Sequence, residues 1–331
     1  MQNAFCAKTI RMKIGIALPT LENAELGRAP SYRELRQMAQ QVGTAGFDSL
    51  WLFDHLLYRR WENAPRLGVW ECWTLLPALA EATQRIELGT LVTCAQFRNP
   101  ALLAKMAATL DEVSGGRFTL GIGAGWHEPE FSAFGVPFDH RVSRFEEAIQ
   151  IIAPLLKTGR VDFAGHYYQA LDCEIRPRGP STAGVPLLVG GAGPRMLELT
   201  ARYADLWNTG YVSELATLAE KRATLATACA AVEREPAAIG DPAAIGDPAT
   251  IGDPATIGIT VHLPVVCADL APAPPFLSEY LPDTLDVIAA RLAEFAQAGV
   301  AHVMIELFPG GAAAVDRMTG LPAFFRQRYV S

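Results

Sequence analysis

The sequence predicts a closed (β/α)8 barrel, the TIM barrel, built from residues 12–331. Two observations carry this. Short apolar runs of strand length alternate with helical patterns along most of the chain. There are eight such runs, the number that closes a parallel barrel. An open doubly wound sheet is the competing arrangement, because it is written with the same alternation.

The first run is MKIGIALP (12–19). After it, Tyr32, Leu35, Met38, Ala39 and Val42 recur at three- and four-residue steps, one face of a helix. DSLWLF (48–53) is the second strand, followed by a helical segment at 71–83. IELGTLVT (86–93) precedes a helix whose face carries Leu102, Leu103, Met106 and Leu110. RFTLGIGAG (117–125) precedes a helix marked by Phe145, Ala148, Ile149, Ile152 and Leu156. PLLVGG (186–191), DLWNTG (205–210), IGITVHLPVV (257–266) and AHVMIELF (301–308) complete the strands, with helices at 194–204, 213–234 and 284–298. Segments 126–140 and 158–185 are rich in Gly, Pro and aromatics and read as long loops over the mouth of the barrel, where substrate would be chosen. Residues 235–258 are four tandem copies of an acid-Pro-Ala-Ala/Thr-Ile-Gly hexamer. So few copies build no domain of their own. They read as a lengthened surface loop running into the seventh strand, with a lid or partner loop as the alternative. Residues 1–11 read as an N-terminal extension.

Composition narrows the function. Half of the 331 residues are hydrophobic and 19% charged, which suits a soluble protein with a large core. The net charge of −7, with no basic run, argues against nucleic-acid and membrane-surface partners. No apolar stretch reaches the ~18 residues of a membrane span. The start has no apolar signal-peptide core. Six scattered cysteines contain no Cys-x-x-Cys pair and the six histidines no His-x-x-x-His, so no metal site is predicted. The reading is reduced thiols in a cytoplasmic protein.

In a barrel, chemistry sits at the C-terminal ends of the strands. The second strand, Leu50-Trp51-Leu52-Phe53, ends in Asp54-His55. An imidazole beside a carboxylate suits proton or hydride chemistry. The plain alternative is a structural pair, with Asp54 capping the next turn. Strand three ends in Val92-Thr93-Cys94 and strand four in Gly125-Trp126. Gly190-Gly191-Ala192-Gly193 precedes Pro194, a glycine loop opening a helix, which makes an anion site or else a tight turn. Gly121, Gly123 and Gly125 mimic a dinucleotide fingerprint but lack the third glycine at its proper spacing and a helix straight after. His262 lies on strand seven and Glu306 on strand eight.

Three segments give the chain a family resemblance: AGFDSLWLFDHL (45–56), RIELGTLVTCAQFRNPALLAKMAATLDEVSGGRFTLGIGAGWHEPEFSAFG (85–135) and PLLVGGAGPRMLELTARYADLWN (186–208). Together they resemble the luciferase-like monooxygenase superfamily of flavin- and deazaflavin-dependent oxidoreductases. The resemblance covers residues 12 to about 210. It implies a (β/α)8 barrel with the ring cofactor across its C-terminal mouth. Asp54 and His55 would then sit beside the ring as the catalytic pair, with His55 the acid/base or ring anchor. Leu91-Val92 matches the pair that forms a non-prolyl cis peptide behind the ring. Cys94, Gly125 and Trp126 match backbone near the cofactor, and Gly190, Gly191, Ala192 and Gly193 match its phosphate loop. The wording of the middle segment is most similar to members that use coenzyme F420, with FMN the alternative. Two positions depart from the superfamily's sugar-phosphate dehydrogenases: Trp126 stands where they place a catalytic Glu, and Arg59 where they place a Trp.

The expected activity is hydride transfer between F420 and a small organic substrate. The alternatives are an FMN-dependent two-component monooxygenase with a reductase partner, a catalytically silent flavin-binding barrel, and a lyase or isomerase without a redox cofactor. A homodimer is implied by the resemblance alone.

Overall fold

The computed structural model describes residues 12–23, 27–59, 64–234 and 257–330. Residues 1–11 and copies 235–256 of the hexamer repeat therefore lie outside the described residues. Eight parallel strands form the barrel: β1 Lys13–Ala17, β2 Ser49–Leu52, β3 Glu87–Thr90, β4 Phe118–Gly123, β5 Leu187–Gly190, β6 Leu206–Tyr211, β7 Gly258–Val266 and β8 Val300–Phe308. Each pairs with its neighbours in order, and β8 pairs with β1 (Lys13 opposite His302), which closes the cylinder. That closure excludes the open sheet. Gly258, last residue of the repeat, is the first of β7, so the repeat does run into a strand.

The helices are α1 Tyr32–Thr44, α2 Cys72–Ala82, α3 Pro100–Ser114, α4 Glu128–Ala133, α5 Arg141–Thr158, α6 Pro194–Tyr203, α7 Leu215–Ala231, α8 Leu285–Gln297, α9 Ala312–Met318 and α10 Leu321–Tyr329. Their starts follow from sequence. Ser31 and Glu34 form a capping box on α1, Asn99 caps α3 ahead of Pro100, and Gly115 ends α3 in the left-handed conformation. One face of the stripe predicted on α3 is misassigned. Leu102 is exposed, whereas Leu103, Ala104, Ala107 and Leu110 are buried. Small alanines let α3 lie close to the sheet, and a hydrophobicity pattern gives them too little weight.

Segment 158–185 is not a loop over the mouth. It forms an antiparallel hairpin of Arg160–Ala164 and Gln169–Glu174, and its turn is held against α5 by Glu147, which accepts from the backbone N–H groups of Tyr167 (2.7 Å) and His166 (2.8 Å). The chain needs hydrogen-bond partners here, and a hairpin supplies them locally.

Two clusters carry most of the core among the described residues, beside a small one of Val266, Leu277 and Phe308. The larger of the two lies between barrel and helices. The other fills the barrel with Ala17, Trp51, Leu91, Leu188 and Met304. Trp51 fits because β1 and β3 face it with glycine. A Cβ on Gly89 would lie 2.1 Å from the indole ring, and one on Gly15 2.1 Å from Ser49 Oγ. The indole N–H donates to Ser49 Oγ (2.7 Å), and that hydroxyl reaches His302 Nε2 (2.7 Å). With the hydroxyl proton given to Nε2, the three side chains form one hydrogen-bonded chain and the imidazole is neutral. Burial drives the His302 pKa well below its ordinary 6.5.

The sign of the resulting pH dependence follows. Unfolded chains bind a proton at His302 below about pH 6.5 and the folded barrel does not, so this group destabilises the fold as pH falls. His302→Asn is expected to flatten the decline in melting temperature below pH 6.5 relative to wild type. An unchanged slope in thermal unfolding across pH 5–7 would show that His302 is not held neutral.

Candidate active site at the C-terminal mouth

A cleft of about 710 Å³ opens where the strands end. Its residues come from the ends of the barrel strands and from the segments that follow, Leu21 after β1 included. The alternation of a strand decides who reaches it. Ser49, Trp51 and Phe53 point into the barrel, and His55, next in that series, lines the mouth. Leu50 and Leu52 pack outward on the helices, and Asp54 continues their series.

Asp54 and His55 therefore part company. The Asp54 carboxylate is wholly buried and bound by Arg98 at 2.6 and 3.0 Å. Arg98 also meets Glu71 at 2.5 Å, and Glu71 caps α2 by accepting from Trp73 and Thr74. Burial raises the Asp54 pKa, with Arg98 pulling against it. Burial opposes the charge on Arg98 too, but its two carboxylates outweigh this and hold it protonated. The network fastens the end of β2 to the start of α2 and to the segment after β3. Asp54 is among the residues lining the cleft, while its side chain, with no exposed surface, is fastened to Arg98.

His55 is held by a residue that sequence reasoning missed. Glu130 of α4, itself 2% exposed, receives His55 Nδ1 at 3.0 Å and the backbone N–H of Leu56 at 2.9 Å. The Nδ1–H tautomer that this pairing selects leaves Nε2 as the reactive nitrogen. Around His55 stand the rings of Tyr58 (4.9 Å) and Trp126 (5.9 Å). His127 is buried, which lowers its pKa, and its Nε2 accepts from the Arg59 backbone N–H at 3.2 Å. No motif marks Glu130. It is an acid on a short helix, and only the fold carries it 75 positions back to His55.

The remaining predicted residues fall as follows. Leu91-Val92 is a cis peptide and both residues line the cleft. Val92 occupies the space above Gly123 and Gly190, where added Cβ atoms would lie 2.9 and 3.2 Å from it. Cys94 is buried, its thiol pushed up to about 12 by burial, which makes it packing surface and no nucleophile. Gly125, at φ 72°, passes so close to Cys94 and Phe131 that a Cβ would meet them at 2.8 and 2.5 Å. Trp126 is 60% exposed on the rim. Gly190, Gly191 and Gly193 line the cleft, while Ala192 is exposed and is not among its lining residues. Trp207 pins the loop by donating to the Gly191 carbonyl at 2.9 Å, and α6 begins at Pro194 directly behind. Arg141, at the start of α5, lines the same cleft, and the starts of α5 and α6 are joined where Arg195 donates to Ser143 at 2.9 Å. Segment 126–140 contributes Trp126 and Glu130 to the lining, but 158–185 contributes nothing. No group of residues among those described could hold a metal ion, and no described helix is long and apolar enough to cross a membrane. The five described cysteines are free.

A family model for luciferase-like monooxygenase matches residues 12–251. The chain belongs to the luciferase-like monooxygenase family. Among its curated relatives is an F420-dependent glucose-6-phosphate dehydrogenase of Amycolatopsis mediterranei, 35% identical over 188 residues, which are 54% of this chain and 53% of that protein. Another is the pyrimidine monooxygenase RutA of Acinetobacter baylyi, 30% identical over 210 residues, 59% of this chain and 55% of that protein. The chain spans about half the length of the curated relatives it matches. By structure, the barrel is similar to an F420-dependent secondary alcohol dehydrogenase in complex with an F420-acetone adduct (TM-score 0.72, 18% identity, 96% of this chain and 99% of the other). It is also similar to a riboflavin lyase with modified FMN and riboflavin (TM-score 0.75, 15% identity, 97% and 92%). At these identities the two structures establish the fold.

Removing Arg98 would leave the buried Asp54 charge without a partner. Arg98→Ala is expected to destabilise the protein by about 3–5 kcal/mol, and Asp54→Ala in the same chain to recover part of that loss. Chemical unfolding of the single and double variants measures both. Strictly additive losses would mean that the pair does not act as a unit.

Proposed function

We propose that the protein is a coenzyme F420-dependent oxidoreductase that moves a hydride between the deazaflavin and a small organic substrate. The observation that carries this reading is the layout of one cleft. A carboxylate-held imidazole, His55, stands in the same cleft as a glycine loop that opens a helix.

The residues present suit such a group. The apolar Leu91 and Val92 offer a surface for a flat ring, and a helix N-terminus with Arg141 nearby suits an anionic tail. Room exists for that tail: a Cβ on Gly193 would meet nothing within 4 Å. Bound there, the ring supplies hydride transfer. The chain supplies orientation and proton handling. Glu130 fixes the His55 tautomer, and Nε2 takes up or returns the substrate proton that accompanies the hydride. Buried Glu130 and the aromatic rims of Tyr58 and Trp126 limit water at that nitrogen.

The relatives support the deazaflavin through their F420-dependent dehydrogenases. They support a second reading, an FMN-dependent monooxygenase served by a reductase partner, through the pyrimidine monooxygenase and through the FMN named with the riboflavin lyase.

Titration of the purified protein with F420 and separately with FMN, followed by fluorescence, tests the choice. Tight F420 and weak FMN binding is expected. The reverse would move the protein to oxygen chemistry, and binding of neither would remove the cofactor site altogether. In the F420-loaded enzyme, His55→Ala is expected to lower kcat by about 10²–10⁴-fold while F420 still binds. Turnover unchanged by that substitution would leave His55 a structural residue.

A further inference from the structure

The side of the cleft formed by β6, β7 and β8 carries a second polar cluster, across the barrel from β2 to β4. Tyr211, the last residue of β6, donates its phenol to Glu306 Oε2 at 2.6 Å. His262 of β7 brings Nε2 to 2.8 Å from the same oxygen. The approach lacks hydrogen-bond geometry, so Nε2 is a buried nitrogen without a hydrogen-bond partner among the described residues. His262 as a whole is 7% exposed, and the Tyr211 ring covers it at 4.4 Å. A buried polar atom with no partner in a cleft wall points to a group that arrives from outside.

The chemistry of that group follows from what lines the wall. Glu306 keeps Oε1 for a further hydrogen bond, and a carboxylate only accepts. His262 Nε2 stands 2.8 Å from the other oxygen, Oε2, which leaves Oε1 as the acceptor for a further group. Among the described lining residues the one arginine or lysine is Arg141, which sits by the glycine loop and not here. Phe53, 5.6 Å from His262, and Phe276 make the neighbouring surface apolar. An anion placed beside Glu306 would meet a like charge with no arginine or lysine on this wall, among the described residues, to offset it, in a setting that water screens poorly.

We propose that Tyr211, His262 and Glu306 form the head-group subsite for a substrate with an apolar body and a head that donates hydrogen bonds and carries no negative charge: a protonated amine or a hydroxyl. This rests on the cleft being the cofactor and substrate site. It gives the cleft two poles, with the anionic cofactor tail at the glycine loop and the donor head of the substrate at Glu306. Phosphorylated and carboxylated substrates are turned away.

The test uses three probes that share a phenyl body and differ in the head: benzylamine, benzyl alcohol and benzoate. Each is titrated at neutral pH into the full chain loaded with its ring cofactor, by calorimetry. Benzylammonium and benzyl alcohol are expected to bind at least about tenfold more tightly than benzoate. Glu306→Gln is expected to abolish the advantage of benzylammonium over benzoate and Tyr211→Phe to reduce it. Cofactor titration of Glu306→Gln is expected to match wild type, which separates loss of this subsite from loss of the ring site. Benzoate binding as tightly as the other two, a ranking that Glu306→Gln leaves unchanged, or no binding of any probe would each overturn the proposal.

Discussion

The alternation of side chains across the barrel wall is the constraint on which this structure rests. A β-strand sends successive residues to opposite faces. In β2 and the residues just past it, one series fills the barrel with Ser49, Trp51 and Phe53 and ends with His55 at the mouth. The other packs Leu50 and Leu52 under the helices and ends with Asp54 in the grip of Arg98. A shift of one residue would bury the imidazole under α2 and set a carboxylate at the mouth. The register is fixed by Trp51, which fits the barrel only because Gly15 and Gly89 face its side of the wall. The core of the barrel and the chemistry at its rim are thus one packing decision.

Polar groups in the structure fall into closed and open sets. Trp51, Ser49 and His302 satisfy one another inside the barrel, and Asp54, Arg98 and Glu71 do so beneath α2. Burying such sets is tolerable because their members hydrogen-bond to one another. His55 with Glu130, and Glu306 with Tyr211 and His262, are different. Each is partly satisfied and borders the cleft. The contrast separates groups closed within the fold from groups left partly unsatisfied at the cleft.

Family membership leaves the reaction to the details of the cleft wall. The same barrel carries dehydrogenases and a monooxygenase among the relatives. What differs between such enzymes has to be sought in the residues that border ring and substrate, since the frame is common to all. Among the described lining residues are the acids Asp54, Glu130 and Glu306, several aromatic rings and one arginine, Arg141.

The eight strands, the glycine loop before Pro194, the cis pair Leu91-Val92 and the cleft position of His55 were legible in the sequence, the first two from periodicity and turn chemistry and the last two from resemblance. Each is local, contained in a few consecutive residues. The hairpin at 160–174 and the exposed Leu102 were misjudged, because loop-rich composition and apolarity do not report what packs alongside. The partners that define the site were out of reach: Arg98 for Asp54, Glu130 for His55, and Tyr211 with Glu306 and His262. These pairs are joined across 44, 75 and 95 positions of chain. Such distances close only when the barrel does. Local sequence determined the staves and their ends, and closure of the cylinder decided which charged groups would face one another there.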